Sequence, residues 1–172
     1  MSGQVSAAQL QSLTQAAGAQ YGVPPSILRG LIAVESGGNP QAENHNANGS
    51  IDRGLVQINN QAHPGISDAQ AFNPSFAVPW AAQQLAAAKK STGSWVGALE
   101  TYNSGGANAW DAPYAAAVLT AGGGTQYAAN VLAAGGVGAQ VGAPSIAGSG
   151  WLRWVLIGLA LLLGVAAIER IL

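Results

Sequence analysis

Only 8% of the residues are charged, so an ionisable group able to do chemistry stands out, and Glu35 is the first. It follows Ile32 by three positions and Leu31 by four. Helical geometry therefore sets it at the end of an apolar stripe made of Ile27, Leu28, Leu31 and Ile32, facing the interior. Desolvation there raises the proton affinity of a carboxyl group, which suits a general acid near neutral pH. The competing reading is a glutamate at a helix C-terminus that points into solvent. A second cluster, Asn46-Ala47-Asn48-Gly49-Ser50-Ile51-Asp52-Arg53-Gly54-Leu55-Val56-Gln57-Ile58-Asn59, gathers side-chain amides and one carboxylate in a short stretch. Amides both donate and accept, so such a set suits a ligand rich in hydroxyl and acetamido groups; a polar hairpin with no ligand is the bland alternative. Asn44, Asn46, Asn48, Gly49 and Asp52 also fall at positions 1, 3, 5, 6 and 9 of a calcium-loop template, but Leu55 stands where the bidentate glutamate belongs. That argues against a metal. A third cluster, Ala98-Leu99-Glu100-Thr101-Tyr102-Asn103-Ser104-Gly105, closes a helix with Tyr102 and Asn103, where side chains lean into a cleft. Glu43, Glu100 and Asp111 read as surface charges.

The elements that must position these groups are mostly helices. Ser6 with Gln9 forms a capping box for a helix through Ala19, and Pro24-Pro25-Ser26 starts a second that Gly37-Gly38 stops. The stretch 43–60 is too rich in Asn and Gly for helix, and Asn48-Gly49 signals a tight turn and a small hairpin. Asn73-Pro74 caps a helix reaching Lys89-Lys90, Ser94 opens one ending near Asn103, and 113–120 and 125–134 are two further helical segments.

Composition excludes several classes of function. With 6 Lys+Arg against 7 Asp+Glu there is no basic field for nucleic acid and no polybasic stripe for anionic lipid. No cysteine is present, which removes disulfide scaffolds, thiolate zinc sites and cysteine nucleophiles, and two histidines are too few for a histidine-rich metal centre. The 49% hydrophobic content is inflated by 35 alanines. It is also uneven. Glycine takes six of the sixteen positions 135–150, as in a flexible linker, and the fifteen residues 154–168 carry no charge or strongly polar group. The run 151–172, with Trp151 and Trp154 as interfacial anchors, is long enough to cross a bilayer if Arg153, Glu169 and Arg170 lie among headgroups. The alternative is a C-terminal helix buried in a homo-oligomer. The N-terminal MSGQVSAAQLQSL has neither a basic n-region nor an apolar h-region, so the default topology leaves the first 150 residues on the cytoplasmic side.

Taken together, the three clusters resemble the lytic transglycosylase branch of the lysozyme superfamily. The family's Glu-Ser pair ending a helix corresponds to Glu35-Ser36, and its Gly-Leu-Met-Gln-Ile to Gly54-Leu55-Val56-Gln57-Ile58, with Val for Met. Its Ala-x-x-x-Tyr-Asn-x-Gly runs unbroken from Ala98 to Gly105. Asn73-Pro74 opening a helix, and Thr125-Gln126-Tyr127 with Val131-Leu132, add to a resemblance that covers about 17–134. The middle loop is also similar to that of c-type lysozymes and of transglycosylases associated with secretion systems.

The resemblance implies a mainly α, lysozyme-like (α+β) helical domain over 1–134 with a small hairpin, then a Gly/Ala-rich linker over 135–150 and a C-terminal transmembrane helix over 151–172. It implies cleavage of the β-1,4 bond between N-acetylmuramic acid and N-acetylglucosamine in peptidoglycan glycan strands. Glu35 would be the catalytic acid and then base, giving a 1,6-anhydromuramyl product with no cofactor and no metal. Ser36 would orient Glu35 or contact the glycan, Gln57 and Asn59 would line sugar subsites, Tyr102 would lie near Glu35, and Asn103 would hold the loop or the substrate. Asp52 is the candidate auxiliary: if it enters the cleft about 5–9 Å from Glu35, two-carboxylate hydrolysis of the muramidase type becomes available. A wall-cleaving domain on the cytoplasmic face does not reach peptidoglycan, so delivery from outside is expected. The chain resembles virion-associated transglycosylases, including those of phages with an internal membrane, acting in genome delivery at the host envelope alongside other virion or envelope proteins. The alternatives are a secretion-system enzyme at the bacterial inner membrane, and a non-catalytic structural or membrane-penetrating virion protein.

Overall fold

In the computed structural model, which describes residues 5–105 and 112–124, capping residues set the helix boundaries. Helix α1 (Ala7–Tyr21) opens with a complete capping box: the Ser6 hydroxyl accepts from the Gln9 N–H, and the Gln9 side chain accepts from the Ser6 N–H. Helix α2 (Pro25–Ser36) has proline at its first position, where the missing N–H would have no partner in any case, and closes on Gly37 in the left-handed region. It buries Ile27, Leu28, Leu31 and Ile32, as their spacing predicts.

The hairpin gains a third strand. β1 (Glu43–His45), β2 (Ile51–Arg53) and β3 (Ile58–Asn59) form an antiparallel sheet in that order. A tight turn over 54–57 folds β3 back, with Gly54 at φ 76° and Gln57 at φ 52°. An alanine at 54 would place its Cβ 2.2 Å from the Ala71 carbonyl oxygen, so only glycine lets the turn approach the next element that closely. That element is α3 (Asp68–Ala71), a four-residue helix with its own Ser67–Gln70 capping box, which periodicity is too short to reveal. Arg53, buried at 5% exposure, ties the sheet to it: Nη1 donates to Asp68 Oδ1 at 2.6 Å and Nε to the Ile58 carbonyl at 3.2 Å.

Helix α4 (Pro74–Thr92) begins at the Asn73 cap and ends where Lys89 Nζ donates to the Gly93 carbonyl at 2.7 Å. It packs against α1 on one side and α5 (Trp95–Ser104) on the other, while α6 (Ala112–Ala121) packs against α2 and α5. The core is built of small and branched residues, among them Ala77, Val78, Ala81, Ala82, Leu85, Ala98 and Leu99, all fully buried. Alanine there lets helix axes approach closely. Glu100, expected at the surface, is buried at 7% exposure instead, because α5 is enclosed by both α4 and α6.

Helices α2 and α6 approach closely. A Cβ on Gly30 would lie 1.9 Å from the Val118 carbonyl oxygen, and one on Gly122 would lie 2.2 Å from that of Ser26. Backbone touches backbone at this crossing, and its consequence is felt at the C-terminal end of α2. The segments read as a helix over 125–134, a linker over 135–150 and a membrane span over 151–172, together with Asp111, lie outside the described residues. Among the described residues no helix is long and apolar enough to cross a membrane.

Candidate active site

Glu35 occupies the last turn of α2, where the stripe of Ile27, Leu28, Leu31 and Ile32 runs out toward Tyr114 of α6, Asp52 of the sheet and Tyr102 of α5. Burial pushes its carboxyl up to about 7, the charge of Asp52 acts in the same direction, and a hydrogen bond from Tyr114 opposes both. The residue keeps partial exposure, which leaves a path for substrate. A carboxyl group that holds its proton to about neutrality is a competent general acid, and its conjugate base is strong enough to take the proton back.

Two tyrosines frame it. The Tyr114 hydroxyl donates to Glu35 Oε1, from a side chain that is 2% exposed. Tyr102 lies within the field of Glu35, and its phenol is pushed well above the ordinary range, first by burial and then by that charge. It therefore stays a neutral donor, and its hydroxyl donates to the Val56 carbonyl at 2.8 Å. This bond joins the end of α5 to the turn before β3 across 46 residues of sequence. Tyr102 thus comes within electrostatic reach of Glu35. Tyr114 escaped notice because its spacing to Val118 marks only a core-facing position; the α2–α6 crossing at Gly30 is what turns its hydroxyl onto the acid.

Asp52 belongs to a different environment. Register pairs it with Asn44 on one side and Asn59 on the other, so three side chains share one face of the sheet. Asn59 Nδ2 donates to Asp52 Oδ1 at 2.6 Å, while Asn46 and Asn44 donate to Oδ2 at 2.8 and 3.2 Å. Buried Ser50 extends the network: it donates to Asn48 Oδ1 at 2.8 Å and accepts from Asn46 and Asn59. Three amide N–H donors converge on the Asp52 carboxylate, which is the polarity a cation site would not have. Among the described residues no group of three or more His, Cys, Asp or Glu side chains could hold a metal.

The remaining candidates are mostly engaged with the backbone. The Ser36 hydroxyl donates to the Leu55 carbonyl at 2.8 Å and the Ile32 carbonyl at 3.1 Å, and accepts from the Gly38 N–H. It clamps the end of α2 to the 54–57 turn, so its effect on Glu35 runs through the backbone. Gln57 donates to the Gly54 carbonyl at 2.9 Å and holds a left-handed conformation that a side chain rarely adopts, which concentrates strain in the 54–57 turn. Asn59 Oδ1 accepts from the N–H groups of Gln61 and Ala62, so both ends of its amide serve the fold. Asn103 is half-buried in the last turn of α5, next to Tyr102. Beyond Tyr102 an aromatic row continues: Trp80 meets it edge-on with ring centroids 6.3 Å apart, and His63 meets Trp80 at 4.9 Å. Neither residue was visible as a site residue in the sequence, since a tryptophan inside a helix and a histidine in a loop carry no motif.

Residues 12–116 match the family described as Transglycosylase SLT domain. Two relatives, both named Protein IpgF, from Shigella flexneri and Shigella sonnei, are each 35% identical to this chain over 95 residues, which is 52% of this chain and 62% of theirs. The aligned part of the chain thus spans less than two thirds of the length of these relatives. The match ends before 125–132, so the likeness read there lies outside both it and the described residues.

Proposed function

The chain belongs to the transglycosylase SLT domain family, and we propose that it cleaves the β-1,4 bond between N-acetylmuramic acid and N-acetylglucosamine by intramolecular transglycosylation. The observation that carries this is one raised carboxyl, Glu35, framed by Tyr114 and Tyr102, facing a second carboxylate that three amides already occupy. Protonated Glu35 gives its proton to the glycosidic oxygen as the C1–O4 bond breaks. The resulting carboxylate takes the proton from the muramyl C6 hydroxyl as that oxygen bonds to C1. The products are a 1,6-anhydromuramyl end and a free C4 hydroxyl, and Glu35 regains its proton. Tyr114 steadies the carboxylate between the two transfers, since its hydrogen bond favours the charged form.

Hydrolysis would need Asp52 as nucleophile or as base for a water molecule. Amide donors occupy both its oxygens and hold it in the sheet, which supports the one-carboxylate route. Digestion of purified peptidoglycan by the full chain, with products read by mass spectrometry, tests the reading. Anhydromuramyl ends that vanish with Glu35→Gln are expected; reducing ends, or intact glycan, would refute it.

For the setting, the apolar run 154–168 after a glycine-rich stretch supports the reading of a domain tethered to a membrane. The tethered enzyme opens the wall locally for a phage particle delivering its genome. A secretion complex at the bacterial inner membrane would use the same arrangement. Flotation of the full chain with lipid vesicles, lost when 151–172 is deleted, is the expected result; a chain that stays in the dense fractions refutes the tether.

A further inference from the structure

The aromatic row beside Glu35 has no part in the proton transfers. Tyr102 comes from α5, Trp80 from α4 and His63 from the loop after β3, so packing of three separate elements aligns them. The Tyr102 end of the row lies within the field of Glu35. Trp80 and His63 are only half-buried, although the neighbours Ala81 and Ala82 of Trp80 are fully buried. A tryptophan in T-shaped contact with two rings is held in orientation while part of it still meets solvent. Pro79 immediately before it narrows the local backbone freedom further.

This geometry suits a pyranose. Rings joined by β-1,4 bonds carry their substituents equatorially, so their two faces are lined with C–H bonds. Such a face complements the negative face of an aromatic ring and registers a neutral polymer without any charge, in a chain where 8% of residues are charged. We propose that Trp80, braced by His63 and Tyr102, is a stacking platform for a sugar of the glycan strand beyond the bond that Glu35 cleaves. The inference rests on the glycan-cleaving reading of the same site, and its test separates the two.

The full chain carrying Glu35→Gln is titrated with soluble N-acetylglucosamine–N-acetylmuramic acid oligomers while the tryptophan indole N–H signals are followed by NMR. The Trp80 signal is identified by its absence from Trp80→Phe. It is expected to move progressively with ligand while that of Trp95, at the α4–α5 corner beside Lys89, stays in place. In the active chain, Trp80→Ala is expected to raise KM about tenfold with kcat nearly unchanged, and Trp80→Phe to recover most of the loss. A stationary Trp80 signal, or an unchanged KM in Trp80→Ala, overturns the platform and leaves the cleavage reaction standing. A moving Trp80 signal in a chain whose wild type cleaves no glycan supports the platform and overturns the proposed reaction instead.

Discussion

Replacing Tyr114 by phenylalanine removes one hydroxyl from a buried position and leaves the ring in place, so Glu35 loses a hydrogen-bond donor. The lost hydrogen bond is one that favours the carboxylate, working against burial and against the charge of Asp52. Its removal must therefore raise the proton affinity of Glu35 further above its present value of about 7. A hydrogen bond to a charged group contributes about 1.5–3 kcal/mol, and about 1.4 kcal/mol corresponds to a tenfold change in proton affinity. The acid limb of catalysis needs Glu35 protonated, so wild-type activity is expected to decline as pH rises through about 7. In Tyr114→Phe that decline moves to higher pH by about one to two units. At the same time kcat falls by about tenfold or more, because the carboxylate formed midway is no longer steadied. The assay is the initial rate of soluble muropeptide release across a pH series, with anhydromuramyl ends quantified at each point. A decline that stays in place or shifts to lower pH would refute the reasoning, whatever happens to kcat.

Asp52→Asn should displace the decline the opposite way, to lower pH, because Asp52's charge is one of the causes that raise Glu35. Anhydromuramyl products should persist at a reduced rate, and a well-folded Asp52→Asn protein that makes none would show that the second carboxylate is needed. Glu35 also carries a stability cost at alkaline pH. Its folded value of about 7 lies above the reference 4.5, so the folded state binds the extra proton between the two. Stability is full below about 4.5 and is lost as pH rises through about 7, by about 3 kcal/mol once the group is ionised. Glu35→Gln should thus melt higher than wild type at pH 8 and close to it at pH 4, as thermal denaturation at the two values will show; equal gains at both would contradict the raised carboxyl. Gly30→Ala drives a methyl into the Val118 carbonyl, and is expected to destabilise the domain by about 1–3 kcal/mol while lowering cleavage through displacement of Tyr114. Unchanged melting would mean that α2 and α6 do not touch there.

Local rules account for most of the helical frame. Ser6, Pro25, Asn73 and Ser94 start helices, and Gly22, Gly37, Gly93 and Gly105 end them, because a cap needs only its own turn of backbone. The same reasoning found Glu35, since a carboxyl at the end of an apolar stripe is a property of one helix. The short elements were harder to read. α3 has four residues and β3 two, too few for any period to show, and β3 depends on the left-handed turn at Gly54 and Gln57. Glu100 was misplaced because being enclosed between two other helices is not written in its own neighbourhood.

By itself, then, the chain order determined which residues could be acid, cap or turn, because those choices depend on backbone within a few positions. Only the tertiary structure decided what each acid became. Strand register surrounded Asp52 with Asn44, Asn46 and Asn59 and tied it into the sheet. A glycine crossing let α6 bring Tyr114 to Glu35, and packing of α4, α5 and a loop aligned His63, Trp80 and Tyr102. Proton affinity and ring placement answer to desolvation, charge and contact in three dimensions, and these partners are separated in sequence by up to 79 residues.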